Sequence, residues 1–223
     1  MADYKNIVNF IKLKEGGLSS KSTDNARKYP APCGNGSNGL PYHTNQGVQW
    51  LVFKTYAPKL GYQATCDNFL KMPTEIWSKI YKEIFWNAVN GDAIKNQAIA
   101  NTFVEWAWLS GTGGSLNSAI SFFKTNYNKT FTSYKQITTF VNELDEQGKS
   151  GQLFDLLYKH REAFYRRLNQ PANLKGWLNR LKAFYVVNKP YALTNGQKAT
   201  LSIGIIALLG ASIYYYYYGS SSR

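Results

Sequence analysis

Glu15 and Asp24 stand nine positions apart, separated by the glycine pair Gly16-Gly17. Two carboxylates placed across a break in the chain can face one another over a cleft. Cleavage of a glycosidic bond needs such a pair. One acid donates a proton to the leaving oxygen, and a second carboxylate handles water or the cation-like transition state. Apolar neighbours such as Phe10 or Ile11 would favour the protonated form of Glu15 by withholding water from its charge. From spacing alone, a solvated glutamate at a helix end and an unrelated loop aspartate is the simpler reading.

Other reactive side chains are few. His43 precedes Thr44 in a loop and could line a cleft, although a lone loop histidine is more often structural. His160 falls among Leu153, Leu156, Leu157 and Phe164 and is expected to pack. With two histidines and two cysteines in the chain, no metal-ligand cluster is visible, and no cofactor is called for. Cys33 and Cys66 flank a segment rich in Gly, Asn and Pro. They are either a disulfide, if the domain works outside the cytoplasm, or two free thiols.

The elements that would hold these residues read as helices. Ile7, Phe10 and Ile11 mark one face of a first helix that stops at Gly16-Gly17. Residues 18–45 are loop-like, a small irregular lobe or a short hairpin. Pro73 suits the first position of a helix carrying Ile76, Trp77, Ile80, Tyr81, Ile84 and Phe85. Further helices are expected at about 92–109, 115–125, 134–146, 150–168 and 174–186.

The C-terminal part is different in kind. Ala199 to Tyr218 forms 20 residues without a charge. At about 1.5 Å per residue this matches a hydrocarbon core of roughly 30 Å. Tyr214 to Tyr218 would lie at a membrane interface. A buried core helix would need a clearer polar face than Thr200, Ser202 and Ser212 supply. The expected partition is therefore a domain over residues 1–188, a linker over 189–198, a single-pass transmembrane helix over 199–218 and a short tail over 219–223. The polar N-terminus contains no apolar run suited to a cleavable signal.

A net charge of +13 draws the chain towards polyanions such as nucleic acid, anionic lipid or an acidic cell wall. Nine of the basic residues fall between Leu156 and Lys198, against the single acid Glu162. No zinc-finger spacing or ribonucleoprotein motif accompanies them, so no nucleic-acid partner is expected. The basic stretch from Lys159 to Arg180 is read as a solvated face.

Several blocks, in order, resemble glycoside hydrolase family 108, the lysozyme-like N-acetylmuramidases. They are Glu15-Gly16-Gly17, Asp24, Thr44-Asn45-Gln46-Gly47-Val48, Met72-Pro73, Ile80-Tyr81, Trp86 and Gly91-Asp92. Glu105-Trp106-Ala107 with Ser110-Gly111 follows, and then Arg161, Phe164-Tyr165 and Gly176-Trp177-x-x-Arg180. The resemblance spans roughly residues 4–186. It implies a mainly α, two-lobed lysozyme-like domain that cleaves the β-1,4 bond between N-acetylmuramic acid and N-acetylglucosamine in peptidoglycan. It implies Glu15 as general acid, with Asp24 and Thr44 as its catalytic partners. His43, Asn45, Glu105 and Trp108 would belong to the substrate-binding surface, and the cleft would be bounded by the first helix, the 18–48 lobe and residues 105–111.

Two positions depart from the pattern. Where phage-type lysozymes place a Thr with five residues after the Asp, this chain has Pro30, and Thr44 follows a Gly/Asn-rich insertion. Glu105 stands where the family usually has Asp. If the insertion separated Asp24 from Glu15, a lytic transglycosylase using Glu15 alone would be the better reading. A non-catalytic, glycan-binding membrane protein is the alternative outside enzymology. With a lipid anchor at 199–218, a phage lysin acting at the host envelope, or an enzyme in the internal membrane of a virion, is the expected setting.

Overall fold

Helix α1 (Lys5–Lys14) buries Ile7, Val8, Phe10 and Ile11 and leaves Asn6 and Asn9 exposed, the stripe that its sequence predicts. It ends at Glu15, whose backbone turns extended (φ −92°, ψ 140°) while its N–H still reaches the carbonyls of Ile11 and Lys12. The helix therefore stops one residue before the glycine pair. The computed structural model describes residues 1–193 and divides them into two units. One is Tyr4–Ala88; the other joins Met1–Asp3 to the chain from Val89 onward.

In the first unit, β1 (Leu18–Ser19), β2 (Thr44–Asn45) and β3 (Val48–Gln49) form a small antiparallel sheet in that order. Leu18 pairs with Asn45 and Ser19 with Thr44; Thr44 in turn pairs with Gln49. The β2–β3 hairpin turns on Gln46 and Gly47, both at positive φ (46° and 79°). That two-residue geometry matches the twist of the strands, and glycine at its second place removes the steric cost. Between β1 and β2 the chain makes a 3₁₀ turn (Asn25–Lys28) and a loop that the Cys33–Cys66 disulfide ties to the start of α3 (Cys66–Lys71). Helices α2 (Trp50–Tyr56) and α3 were not legible in the sequence. They enclose the rings of Trp50, Phe53 and Phe69, whose centroids lie 5.1–5.8 Å apart. Helix α4 (Thr74–Tyr81) follows Pro73 and continues into a π turn over Lys82–Trp86.

The second unit is built on α5 (Gln97–Tyr127). Asn96 caps it by accepting from the N–H groups of Ala98 and Ile99. From Ala98 to Ala107 every residue is buried, so this stretch is a central helix covered on all sides. At Gly111 the backbone leaves the helix (φ 74°, ψ 158°) and then resumes it. The two helices expected on either side are thus two arms of one kinked rod. Helices α6 (Tyr134–Glu146), α7 (Ser150–Arg167) and α8 (Pro171–Ala192) pack with it.

The end of α8 revises the expected domain boundary. The helix passes through Lys189 and Pro190 to Ala192, which is fully buried. Asn188 accepts from the Asn101 amide at 2.6 Å, and Lys189 is ion-paired to Asp155, which also takes the Tyr185 hydroxyl at 2.9 Å. Residues 189–192 therefore belong to the folded unit, not to a linker. Among the described residues no helix is long and apolar enough to cross a membrane. The expected transmembrane helix at 199–218, and with it the bilayer contact, lies outside the described residues.

Candidate active site

The sheet and the helix end converge on one cavity of about 580 Å³ within the first unit. Glu15 reaches it from the C-terminus of α1, Asp24 from the start of the 3₁₀ turn, and Thr44 from β2. Gly16 and Gly17 form part of the rim; both are exposed, and a Cβ on either would meet no atom within 4 Å. Glu15 is half-exposed, one step beyond the buried Phe10 and Ile11, so it is presented to the cavity rather than sealed among them.

Asp24 is held by its role as a cap. One carboxylate oxygen accepts the Ala26 N–H at 2.9 Å, which fixes the side chain and leaves the other oxygen for a partner. That other oxygen, Oδ2, lies 3.8 Å from Nδ1 of His43. The His43 ring is buried, with 1% of its surface exposed, and is bracketed by two oxygens. Nε2 is 3.2 Å from the Lys21 carbonyl, and Nδ1 is 3.0 Å from the Thr44 hydroxyl. A carbonyl only accepts, so in the neutral ring Nε2 carries the proton. Nδ1 then accepts from Thr44. With the ring in that form the Thr44 proton turns towards His43, and its oxygen lone pairs remain for a donor in the cavity.

The remaining candidates do other work. His43 stands behind the first cavity, where it supports Thr44, and it also lines a smaller neighbouring cavity. Asn45 is 2% exposed and donates to the carbonyls of Phe69 and Leu70 at 2.6 and 2.9 Å, which ties β2 to the end of α3. Its amide hydrogens are engaged with the backbone, and it is not among the residues that line the cavity. Glu105 is fully buried in the second unit, ion-paired to Arg161 and, at 3.0 Å, to Nε of Arg180. Burial alone would lower the Arg161 pKa, but Glu105 and Tyr165 outweigh it and hold the guanidinium firmly charged. Glu105 therefore joins α5 to α7 and α8. Trp108 is half-buried on the same helix, three residues before the Gly111 kink.

Sequence reasoning did not single out Ser20, Ser37 or Asn38, which also line the cavity. Asn38 accepts from the Ser20 hydroxyl at 2.8 Å, donates to the Ser20 carbonyl at 2.9 Å, and accepts the Leu40 N–H at 3.1 Å. This clamp brings the long loop back to β1, and Gly36 is part of it: a Cβ there would sit 2.1 Å from the Ser20 hydroxyl oxygen. The available signal was Gly36-Ser37-Asn38-Gly39, a stretch of turn formers inside what reads as an insertion.

The insertion thus folds back to leave Glu15, Asp24 and Thr44 on one cavity. Residues 8–111 match the family described as glycosyl hydrolase 108. The match begins inside α1, contains every residue that lines the cavity and ends at the kink of α5. This glycosyl hydrolase 108 match supports the resemblance read from the sequence. No curated protein matches the chain. Among solved structures, that titled "Structure of Brucella abortus SagA" is similar at a TM-score of 0.57, with 13% identity, over 86% of this chain and 97% of that one. At that identity the likeness speaks to fold alone.

Proposed function

We propose that the protein is a peptidoglycan-cleaving glycoside hydrolase acting on the β-1,4 bond between N-acetylmuramic acid and N-acetylglucosamine. The observation that carries this reading is the meeting of Glu15, Asp24 and Thr44 on one open cavity, inside the segment similar to glycosyl hydrolase 108. Glu15, as general acid, gives its proton to the glycosidic oxygen while the bond to the anomeric carbon breaks. A water that donates one hydrogen to Asp24 and the other to Thr44 keeps a lone pair for that carbon. As the water attacks, Asp24 takes its proton. Thr44 can accept from this water because its own hydrogen is committed to His43.

Asp24 also favours hydrolysis over the transglycosylase alternative, in which the C6 hydroxyl of muramic acid attacks in place of water. An enzyme of that kind needs no second carboxylate beside Glu15. The presence of Asp24 on the Glu15 cavity therefore supports attack by water. Digestion of purified peptidoglycan in ¹⁸O-labelled water tests this directly. Hydrolysis places one ¹⁸O at each new reducing end, whereas transglycosylation places none.

A further inference from the structure

A second cavity, of about 300 Å³, adjoins the first within the same unit and shares Ser20 with it as a common wall. This volume is at the lower end of the range for small-ligand sites, roughly 300–1,000 Å³. Its remaining lining is the apolar Pro30, Leu40 and Pro41, the His43 ring, and the cations Arg27 and Lys28. No acidic residue lines it, and neither Arg27 nor Lys28 enters an ion pair among the described residues. Elsewhere in the protein, exposed cations such as Lys71, Lys79 and Lys95 do find carboxylates. Two unneutralised cations beside a small apolar surface complement an anion with a short apolar body.

The two cations are also mechanically joined to the first cavity. Asp24 caps the 3₁₀ turn whose last residues are Arg27 and Lys28. A glycan seated at Glu15 carries, on its muramic acid, a branch that must leave the strand sideways. That branch is a short peptide of small apolar residues, an acidic residue and a diamino acid, and it carries free carboxylates. We propose that the Arg27–Lys28 cavity binds the carboxylate-bearing peptide stem of peptidoglycan, so that the protein selects stem-bearing over stem-free strands. This rests on the glycosidase reading above and adds a substrate requirement to it.

The test compares full-length wild type with the double variant Arg27→Gln/Lys28→Gln and the control Lys54→Gln, which removes an exposed cation of the same unit that lines neither cavity. Each is assayed on intact strands and on strands whose stems an amidase has removed, both freed of wall phosphate polymers, and in parallel on wall that retains those polymers. Because Arg27 and Lys28 are exposed, the double variant should melt with the wild type. The expected result is a wild-type preference, as the ratio of kcat/KM values, that falls about tenfold in the double variant through KM and is kept by Lys54→Gln. An unaltered preference, or an equal loss in Lys54→Gln, overturns the stem site. So does a loss seen only on wall that retains its phosphate polymers, which would make the cations a phosphate site. A wild type that cleaves neither strand contradicts the glycosidase reading itself, whereas cleavage without preference contradicts only the stem site.

Discussion

The Thr44 hydroxyl lies 3.0 Å from Nδ1 of the buried His43, and the other nitrogen of that ring faces the Lys21 carbonyl at 3.2 Å. Between them these contacts fix the direction of one proton on the wall of the cavity. Asparagine can place an amide oxygen near the Nδ1 position; leucine fills space and accepts nothing. His43→Asn is therefore expected to keep at least about a third of wild-type kcat. His43→Leu should lose about tenfold or more, the scale of one misdirected hydrogen bond at a reacting water. Both variants should melt earlier, since each abandons the Lys21 carbonyl. Initial rates on purified wall, read beside the melting curves, separate the two effects. Equal activity in the two variants would remove the tautomer from the account.

Asp24→Asn keeps the oxygen that accepts the Ala26 N–H, so the 3₁₀ turn should persist and the melting temperature should change little. What it loses is the base for water. Activity on wall is expected to fall by about 10² or more, within the usual range for a displaced proton acceptor. Steady-state rates and a thermal melt on the same preparation check this, and an unimpaired variant would return the site to a single-carboxylate mechanism.

How much of this site was legible follows from where its information lies. Glu15, Asp24 and Thr44 could be named because short motifs carry them. Their meeting could not, because it depends on the loop from Asn25 to His43 folding back through the Ser20–Asn38 clamp and the Cys33–Cys66 bridge. Those contacts join residues 18 and 33 positions apart, and nothing in the local pattern announces them. The same limit applies to polar residues that turn out to be buried. Asn45 and Glu105 are polar residues within motifs, and a motif does not say whether its polar atoms face a ligand or close a core. Long-range partners decide, here the Phe69 and Leu70 carbonyls for Asn45 and Arg161 with Arg180 for Glu105. Helices with a strong apolar stripe, such as α1, α4 and α6, were read nearly to their ends. The helix expected to end near residue 186 instead runs through Pro190 to Ala192, where the ion pair from Lys189 to Asp155 and the burial of Ala192 hold the last turn.

Glu105→Gln tests the reassignment of that residue. It leaves two guanidiniums, one of them fully buried, without their carboxylate. Loss of one partner from a buried ion pair costs about 3–5 kcal/mol. Chemical denaturation should show a midpoint lowered accordingly, while cleavage of wall at a temperature where the variant remains folded should persist. A stable variant with a raised KM would restore Glu105 to the substrate surface.

Reduction tests the bridge. Cys33 and Cys66 close a loop of 33 positions that carries Ser37 and Asn38 to the cavity. In the chain-entropy description such a loop stabilises by roughly 3–4 kcal/mol. Cys33→Ser/Cys66→Ser is expected to lower the denaturation midpoint by that amount and to reduce activity further than the midpoint alone explains, because the loop would no longer be held against β1. Identical midpoints for the oxidised protein and the double serine variant would contradict the structural role of the bridge.

In the proposed reaction Glu15 protonates the leaving oxygen and water completes the cleavage. Mass analysis of muropeptides released by the wild type and by Glu15→Gln measures both halves at once. The expected result is hydrated products with reducing ends from the wild type, and a rate lower by about 10² to 10⁴ from a Gln variant that melts as the wild type does. Undiminished turnover by Glu15→Gln, or wild-type products lighter by one water, would contradict it.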